Sequence, residues 1–291
     1  MIDTSAYRTG RGWRWLRSPA GVFGLLVVVL LISAAITASW IAPYDFGQQD
    51  IPARLQGPST KHLFGTDHLG RDIFSRIVYG TQTAFETALP GVAIALVIGL
   101  LLGIVAGYAG GWVESAVLVL TDTFQAFPSI LFALALLALI GPSTPSVITV
   151  IAIAFAPGYA RVARALVLSL KTQSFIEVTR ALGAGHARII AVHIVPNMLA
   201  PLIILLAMDL ASAITIEAGL SFLGLGVKPP TPSWGVVLAD GFGRIRVSPW
   251  PVLFASLALA LSTLGLALFG EALRDALDPR AGMFDTNAPH P

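Results

Sequence analysis

Few side chains in this 291-residue sequence could do chemistry, and several of them sit where charge is costly. Asp122, Asp209 and Glu217 fall inside long apolar runs. An acid in such a run marks either a buried hydrogen-bonded pair or a polar path through the protein. Asp209 and Glu217 are eight residues apart, about 80° around a helix at 100° per residue. They could therefore share one side, pairing between helices or lining a path with Asp122 and Ser221. Asp67, His68 and Asp72 cluster in a glycine-bounded stretch. A turn cap and an ion pair explain them better than a metal, which would need a closed ligand set.

Several chemistries are excluded. With no Cys, there is no disulfide, thiolate metal site or thiol nucleophile. Ser221 would need an imidazole base within a span to act as an intramembrane nucleophile. His62, His68, His186 and His290 lie away from the spans, and His193 lies at the edge of one. No G-x-x-x-x-G-K-[ST] loop is present, so the chain cannot hydrolyse ATP by that route. A proton-coupled secondary transporter would also place acids in spans, but such proteins usually show two related halves. Neither Phe64–Gly80 nor Ser174–Pro196 has a second copy.

The elements that position these residues must be membrane helices. The chain is 55% hydrophobic and only 12% charged, against about a quarter charged in soluble domains. Its net charge of +2 does not suggest nucleic acid as a partner. A bilayer core of about 30 Å needs about 20 apolar residues in a helix. Six runs qualify: Ala20–Ala42, Thr83–Tyr108, Val113–Ile140, Ser146–Leu170, Asn197–Leu225 and Trp250–Gly270. They are continuous rather than alternating, which excludes barrel strands and leaves helices as the way to satisfy the backbone in lipid. The first run is expected to be a retained span rather than a cleaved signal peptide, because it is long and lacks an A-x-A site.

Six spans put both termini on one side. Lys and Arg favour the cytoplasm. The two termini and the loop between spans four and five hold 11 of them, including Arg8, Arg11, Arg14, Arg17, Arg161, Arg164, Lys171, Arg274 and Arg280, and the other loops hold 7. Both termini and the fourth–fifth loop are therefore expected inside.

That inner loop reads "SFIEVTRALGAGHARIIAVHIVPN". Ser174 and Glu177 have capping-box spacing, in which the Ser side chain caps the helix and the Glu reaches back to the cap N–H. Gly183 is the natural stop, taking a left-handed turn. The helix between them is too short to span. On physical grounds it is either an interfacial helix or a piece that docks into a partner.

Other stretches also carry a physical reading. In "FGTDHLGRDIFSRIVYG" (Phe64–Gly80), Ile73, Phe74, Ile77 and Val78 recur at helical spacing with Arg71, Asp72, Ser75 and Arg76 between them. This predicts an amphipathic helix at the outer interface, feeding the second span. Ala95, Gly99, Gly103 and Gly107 form a small-residue stripe on which another helix can pack closely, within the subunit or across a dimer. In "KPPTPSWG", Pro229, Pro230 and Pro232 stiffen an outer loop, and Trp234 suits the headgroup level. That loop is either a rigid connector or a lip over an outer mouth.

Taken together, these stretches resemble a known family. Glu177-Val178-Thr179, Gly183 and then Pro196 are similar to the EAA motif of ATP-binding-cassette importer permeases. Val178 and Thr179 stand where that motif has two alanines, and His193 and Val195 stand where Ile and Leu are usual before the proline. Phe64–Gly80, Gly219–Gly235 and "GEALRDALDPR" (Gly270–Arg280) resemble the C-type permease subunit of dipeptide, oligopeptide and nickel importers. The likeness covers nearly the whole chain, in order.

The resemblance implies an all-α integral membrane protein of the type I importer permease fold, a multi-pass protein of the bacterial plasma membrane. Residues 1–82 would hold the N-terminal segment, first span and outer loop. Residues 83–275 would form the permease domain, with a coupling helix at 174–184, and 276–291 a cytoplasmic tail. It further implies that Ser174, Glu177, Arg180, Ala181, Leu182 and Gly183 meet an ATPase subunit. The implied partners are a homologous second permease subunit, two ATPase subunits, an extracytoplasmic solute-binding protein and membrane lipid. No cofactor is expected in this chain, ATP and Mg being held by the partner subunits. The implied cargo is oligopeptide or dipeptide, with nickel chelates, glutathione or another small solute as alternatives.

Overall fold

A computed structural model describes residues 18–277. Arg8, Arg11, Arg14, Arg17 and Arg280, and all but the start of the 276–291 tail, lie outside the described residues. Within those bounds every regular element is helical.

The first span is α1 (Pro19–Ile36), capped by Ser18, whose Oγ accepts the Gly21 N–H at 2.9 Å. It stops short of the expected end. Ser33 and Thr37 donate their hydroxyls back to the carbonyls of Val29 and Ser33, at 2.7 and 2.6 Å. Such bonds compete with the helix ladder, and a one-turn helix, α2 (Ala38–Ile41), follows the break. Gly24 lets α1 lie directly on the sixth span: a Cβ there would sit 2.6 Å from the Phe269 nitrogen.

The second span is longer than the pattern suggests. α3 (Ile73–Ala109) is a single helix of 37 residues, about 55 Å at 1.5 Å per residue. The expected interfacial helix is its first turns, so the boundary drawn at 82/83 falls inside a continuous element. Ser75 and Arg76 are buried in the protein, because the polar side of the pattern faces partners within the subunit.

The small-residue stripe packs within the subunit. α6 (Thr144–Leu170) crosses α3 so closely that a Cβ on Gly99 would lie 2.3 Å from the Tyr159 Cβ, and one on Gly103 2.4 Å from the Ala163 Cβ. Ala156, Ala160 and Ala163 on α6 are likewise small and buried. Two faces without bulk bring the backbones together, and dispersion contacts hold them where lipid offers no hydrophobic drive.

Val113–Ile140 is not one straight span. It divides into α4 (Gly111–Ala126) and α5 (Ser129–Ile140), bent by 90°. The break falls at Pro128, which pushes Phe127 out of the helical region to φ −87°, ψ 135°. α6 follows on from this bent pair.

After α6 come α7 (Ser174–Ala181), α8 (His186–Arg188), a π-helical stretch at Ile189–Ile194, and α9 (Val195–Phe222). From His186 onward these form one apolar helix of 37 residues. Pro196 lacks an N–H to bond back into the ladder, and the widened π turns precede it. α10 (Trp234–Phe242) and α11 (Trp250–Leu277) complete the chain, α11 running two turns beyond the expected end.

The bundle has two distinct ends along α3. Residues 42–72 and α10 build a folded cap at its N-terminal end. α7 sits at the other, where Tyr108 Oη lies 2.7 Å from His186 Nδ1 and Lys171 Nζ donates to the Gly107 carbonyl at 2.8 Å.

Candidate functional site

α7 differs from expectation at its start and agrees at its finish. The N-cap is Gln173, not Ser174, and no side chain caps it. Ser174 is the first helical residue, so Glu177 lies one position too far along to reach the cap N–H, and the capping box does not form. Glu177 still sits in the first turn, where the helix dipole favours a carboxylate.

At the finish, Gly183 has φ +85°. Its N–H donates to the Arg180 carbonyl at 3.0 Å, and the Ala184 N–H donates to Thr179 at 3.2 Å. This pair of bonds is the Schellman stop. Ile176 is the one fully buried residue of the helix, while Val178 is 58% and Leu182 83% exposed. Glu177, Arg180 and Ala181 are exposed as well. A two-turn helix is marginal in water by itself, and this one presents Val178 and Leu182 outward, exposed among the described residues.

The acids of the spans do not converge. Asp122, on α4, is exposed and accepts from Arg161 of α6 at 2.8 Å. Asp209 is half-buried on α9 and approaches Tyr159 without completing a hydrogen bond to its buried hydroxyl. Glu217 is sealed from solvent, and its Oε1 accepts from Ser221 Oγ at 2.7 Å and Ser233 Oγ at 2.8 Å. Glu217 and Ser221 thus take the pairing alternative in this conformation: they tie the loop that leads into α10 to the end of α9. Gly226 and Gly235 make the tie possible, since a Cβ on Gly235 would lie 2.0 Å from the Ala218 carbonyl.

The proline-rich loop before α10 also departs from expectation. Pro229 and Pro230 are exposed, but Pro232 and Trp234 are buried. Trp234 is no exposed anchor. It starts α10, and its Nε1–H donates to the Ile77 carbonyl at 3.0 Å. The long indole fills the gap left by Gly80 on α3.

Where the cap meets α3 lies a buried charge network, of which the sequence pointed to an ion pair but not to the share taken by Asp240. Asp67 Oδ2 accepts from Arg71 Nε and Arg76 at 2.6 Å each, and Asp240 of α10 accepts from both at 2.8 and 3.0 Å. Burial pushes the Asp67 carboxyl up, but Arg76, Arg71 and the N–H groups of Leu69 and Arg71 outweigh it and hold it below the ordinary carboxylate range. Asp72 caps α3, accepting from the Ser75 N–H at 2.7 Å, and its other oxygen lies 3.0 Å from His62 Nδ1. The ion-pair and turn-cap reading of Asp67 and Asp72 is what the structure holds. Asp67, His68 and Asp240 do place ligand atoms within 4.8 Å of one another. A cation there would have to displace two buried guanidinium groups, so these residues do not fit a metal.

A helical membrane bundle with a folded cap at one end and one projecting amphipathic helix at the other is the architecture of a transport permease. The chain belongs to the family of binding-protein-dependent transport system inner membrane components, matching it over residues 99–283. Residues 11–58 match the N-terminal transmembrane domain of oligopeptide transport permease C. Among similar proteins, the dipeptide transport system permease protein DppC of Alkalihalophilus pseudofirmus is 40% identical over 264 residues, covering 91% of this chain and 87% of that one. The glutathione transport system permease protein GsiD of Shigella flexneri is 42% identical over 268 residues, covering 92% and 88%. The chain is thus a multi-pass, non-catalytic permease subunit of a bacterial inner-membrane ABC importer.

Proposed function

We propose that this subunit forms half of a pathway for small peptides and is driven through α7 by an ATPase subunit that binds ATP and Mg. The projecting α7, held by one buried residue and ended by a left-handed glycine, is the observation that carries this reading. Val178 and Leu182 offer the apolar contact, and Glu177 and Arg180 the polar rim of the interface. Peptide cargo is favoured because the two relatives named above are a dipeptide and a glutathione permease, and glutathione is itself a tripeptide.

The cap faces outward and both termini lie in the cytoplasm. Arg71 and Arg76 counted among the outer cations by sequence, but both are neutralised in the buried network. The charge asymmetry that sets orientation is therefore larger than the raw count. A homologous second permease subunit completes the path, two ATPase subunits drive it, and a solute-binding protein meets the cap.

Gly183→Val tests the coupling role. The glycine has open space around it, so only its φ resists a β-branched side chain. The variant should assemble but lose most peptide uptake relative to ATP hydrolysis in proteoliposomes, while Gly183→Asn, which tolerates the same φ, should retain it. Full uptake by Gly183→Val would rule the role out.

A further inference from the structure

The cap carries a pocket of about 650 Å³ that none of the roles above uses. Arg54, His68 and Arg244 supply its polar lining, and Ile51, Leu55 and Leu69 its apolar walls. It is a built feature. Leu55 holds φ +57°, the one non-glycine residue with positive φ among the described residues. Such backbone persists only where the surroundings over-determine it. Here the Leu55 N–H donates to the Asp67 carbonyl at 3.0 Å and the Gln56 N–H to Thr66 Oγ1 at 3.0 Å. The pocket therefore rests on the rigid Asp67 network.

Its charge is unbalanced. Asp67 and Asp240 are each matched by Arg71 and Arg76. Arg54 and Arg244 are exposed, and neither has a carboxylate partner among the described residues. Arg244 spends one donor on the Asp240 backbone carbonyl, 3.2 Å away. Burial holds His68 below its ordinary range, opposed by the carboxylates of Asp240 and Asp67 and reinforced by Arg244 and Arg71. At neutral pH the surplus charge is that of the two arginines.

Where the lining comes from selects the occupant. Every lining residue belongs to the outer loops and none to a membrane-spanning helix. A lipid phosphate or a solute in transit would meet spans, whereas a protein seated on the cap would meet loops. Beside the pocket, Phe242 is 63% and Val247 72% exposed, flanking Arg244 and Arg246. Aromatic, aliphatic and Arg side chains together are the make-up of protein interfaces.

We propose that this pocket seats an acidic side chain of the extracytoplasmic solute-binding protein, with Arg54 and Arg244 gripping its carboxylate and Ile51, Leu55 and Leu69 enclosing its methylene stem. The inference rests on the importer reading and on the outward-facing cap.

The test uses the complete transporter in nanodiscs and its purified cognate binding protein. The measurement is the binding-protein concentration that half-saturates stimulation of ATP hydrolysis, at low and high salt. Arg54→Glu with Arg244→Glu should raise that concentration roughly tenfold or more at low salt and flatten its salt dependence, because close charge pairs govern encounter. The double lysine variant, which keeps the charge, should stay near the parent value. A Glu→Lys or Asp→Lys change on the binding protein should restore affinity to the charge-reversed transporter. An unchanged half-saturating concentration in the Glu variant would overturn the proposal. So would an effect that disappears in discs of purely zwitterionic lipid, which points to a headgroup, or a loss of uptake with unaltered stimulation, which points to the solute. If the unaltered complex shows no stimulation at all, the importer reading fails, and the proposal with it.

Discussion

Glu217 is the residue whose surroundings say most about its role. Its Oε1 holds the hydroxyls of Ser221 and Ser233, and the latter caps α10. Removing the carboxylate leaves two buried hydroxyls without their acceptor, at about 1–3 kcal/mol for each group stranded. Glu217→Ala should therefore lower the yield of assembled protein, while Glu217→Gln, which keeps an oxygen acceptor, should retain most of it. The chain has no cysteine, so thiol labelling is clean. Glu217→Cys should resist a water-soluble maleimide, whereas Leu182→Cys, on a residue 83% exposed, should react fully. Ready labelling at 217 in any nucleotide state would show that this position meets the path.

Among elements, the pairing of α3 with α6 sets the frame. Its glycines are needed for contact rather than for turning. A side chain at Gly103 meets both the Ala163 Cβ and the Ala160 carbonyl, and backbone cannot swing aside. Overpacking of this kind typically costs about 1–3 kcal/mol, and more where backbone must separate. Gly103→Leu should lower the thermal midpoint of the detergent-purified protein markedly. Gly158→Ala, on α6 but with no atom within 4 Å of the added Cβ, should leave it unchanged. Equal effects at the two sites would mean that the stripe does not hold the helices together. The same pairing carries α3 from the cap to the base of α7, giving the bundle one stiff member that touches both ends.

For the whole molecule, orientation is the property that assigns each end its partner. Tags fused to either terminus should be protected from external protease in intact spheroplasts. A probe at Lys228, exposed on the loop before α10, should be accessible there. Cleavage of a C-terminal tag from outside would invert the arrangement, placing α7 away from ATP and the arginine pocket in the cytoplasm.

Sequence alone determined the class of protein, the rough place of the apolar spans, the left-handed stop at Gly183 and the likeness to importer permeases. Each of these depends on local information: run length against bilayer thickness, backbone bonds closed within one helix, and a glycine where a Cβ would strain the turn. The tertiary structure decided the rest. It bent the third run at Pro128, merged the amphipathic segment with the second span, and turned the small-residue stripe inward onto α6. It also drew Trp234 under the cap and joined Arg71 to Asp240 across 169 positions of chain. Hydrophobic pattern shows that a residue avoids or tolerates water but not which neighbour replaces the water. For a buried charge that neighbour is everything, and only the packing of distant helices supplies it.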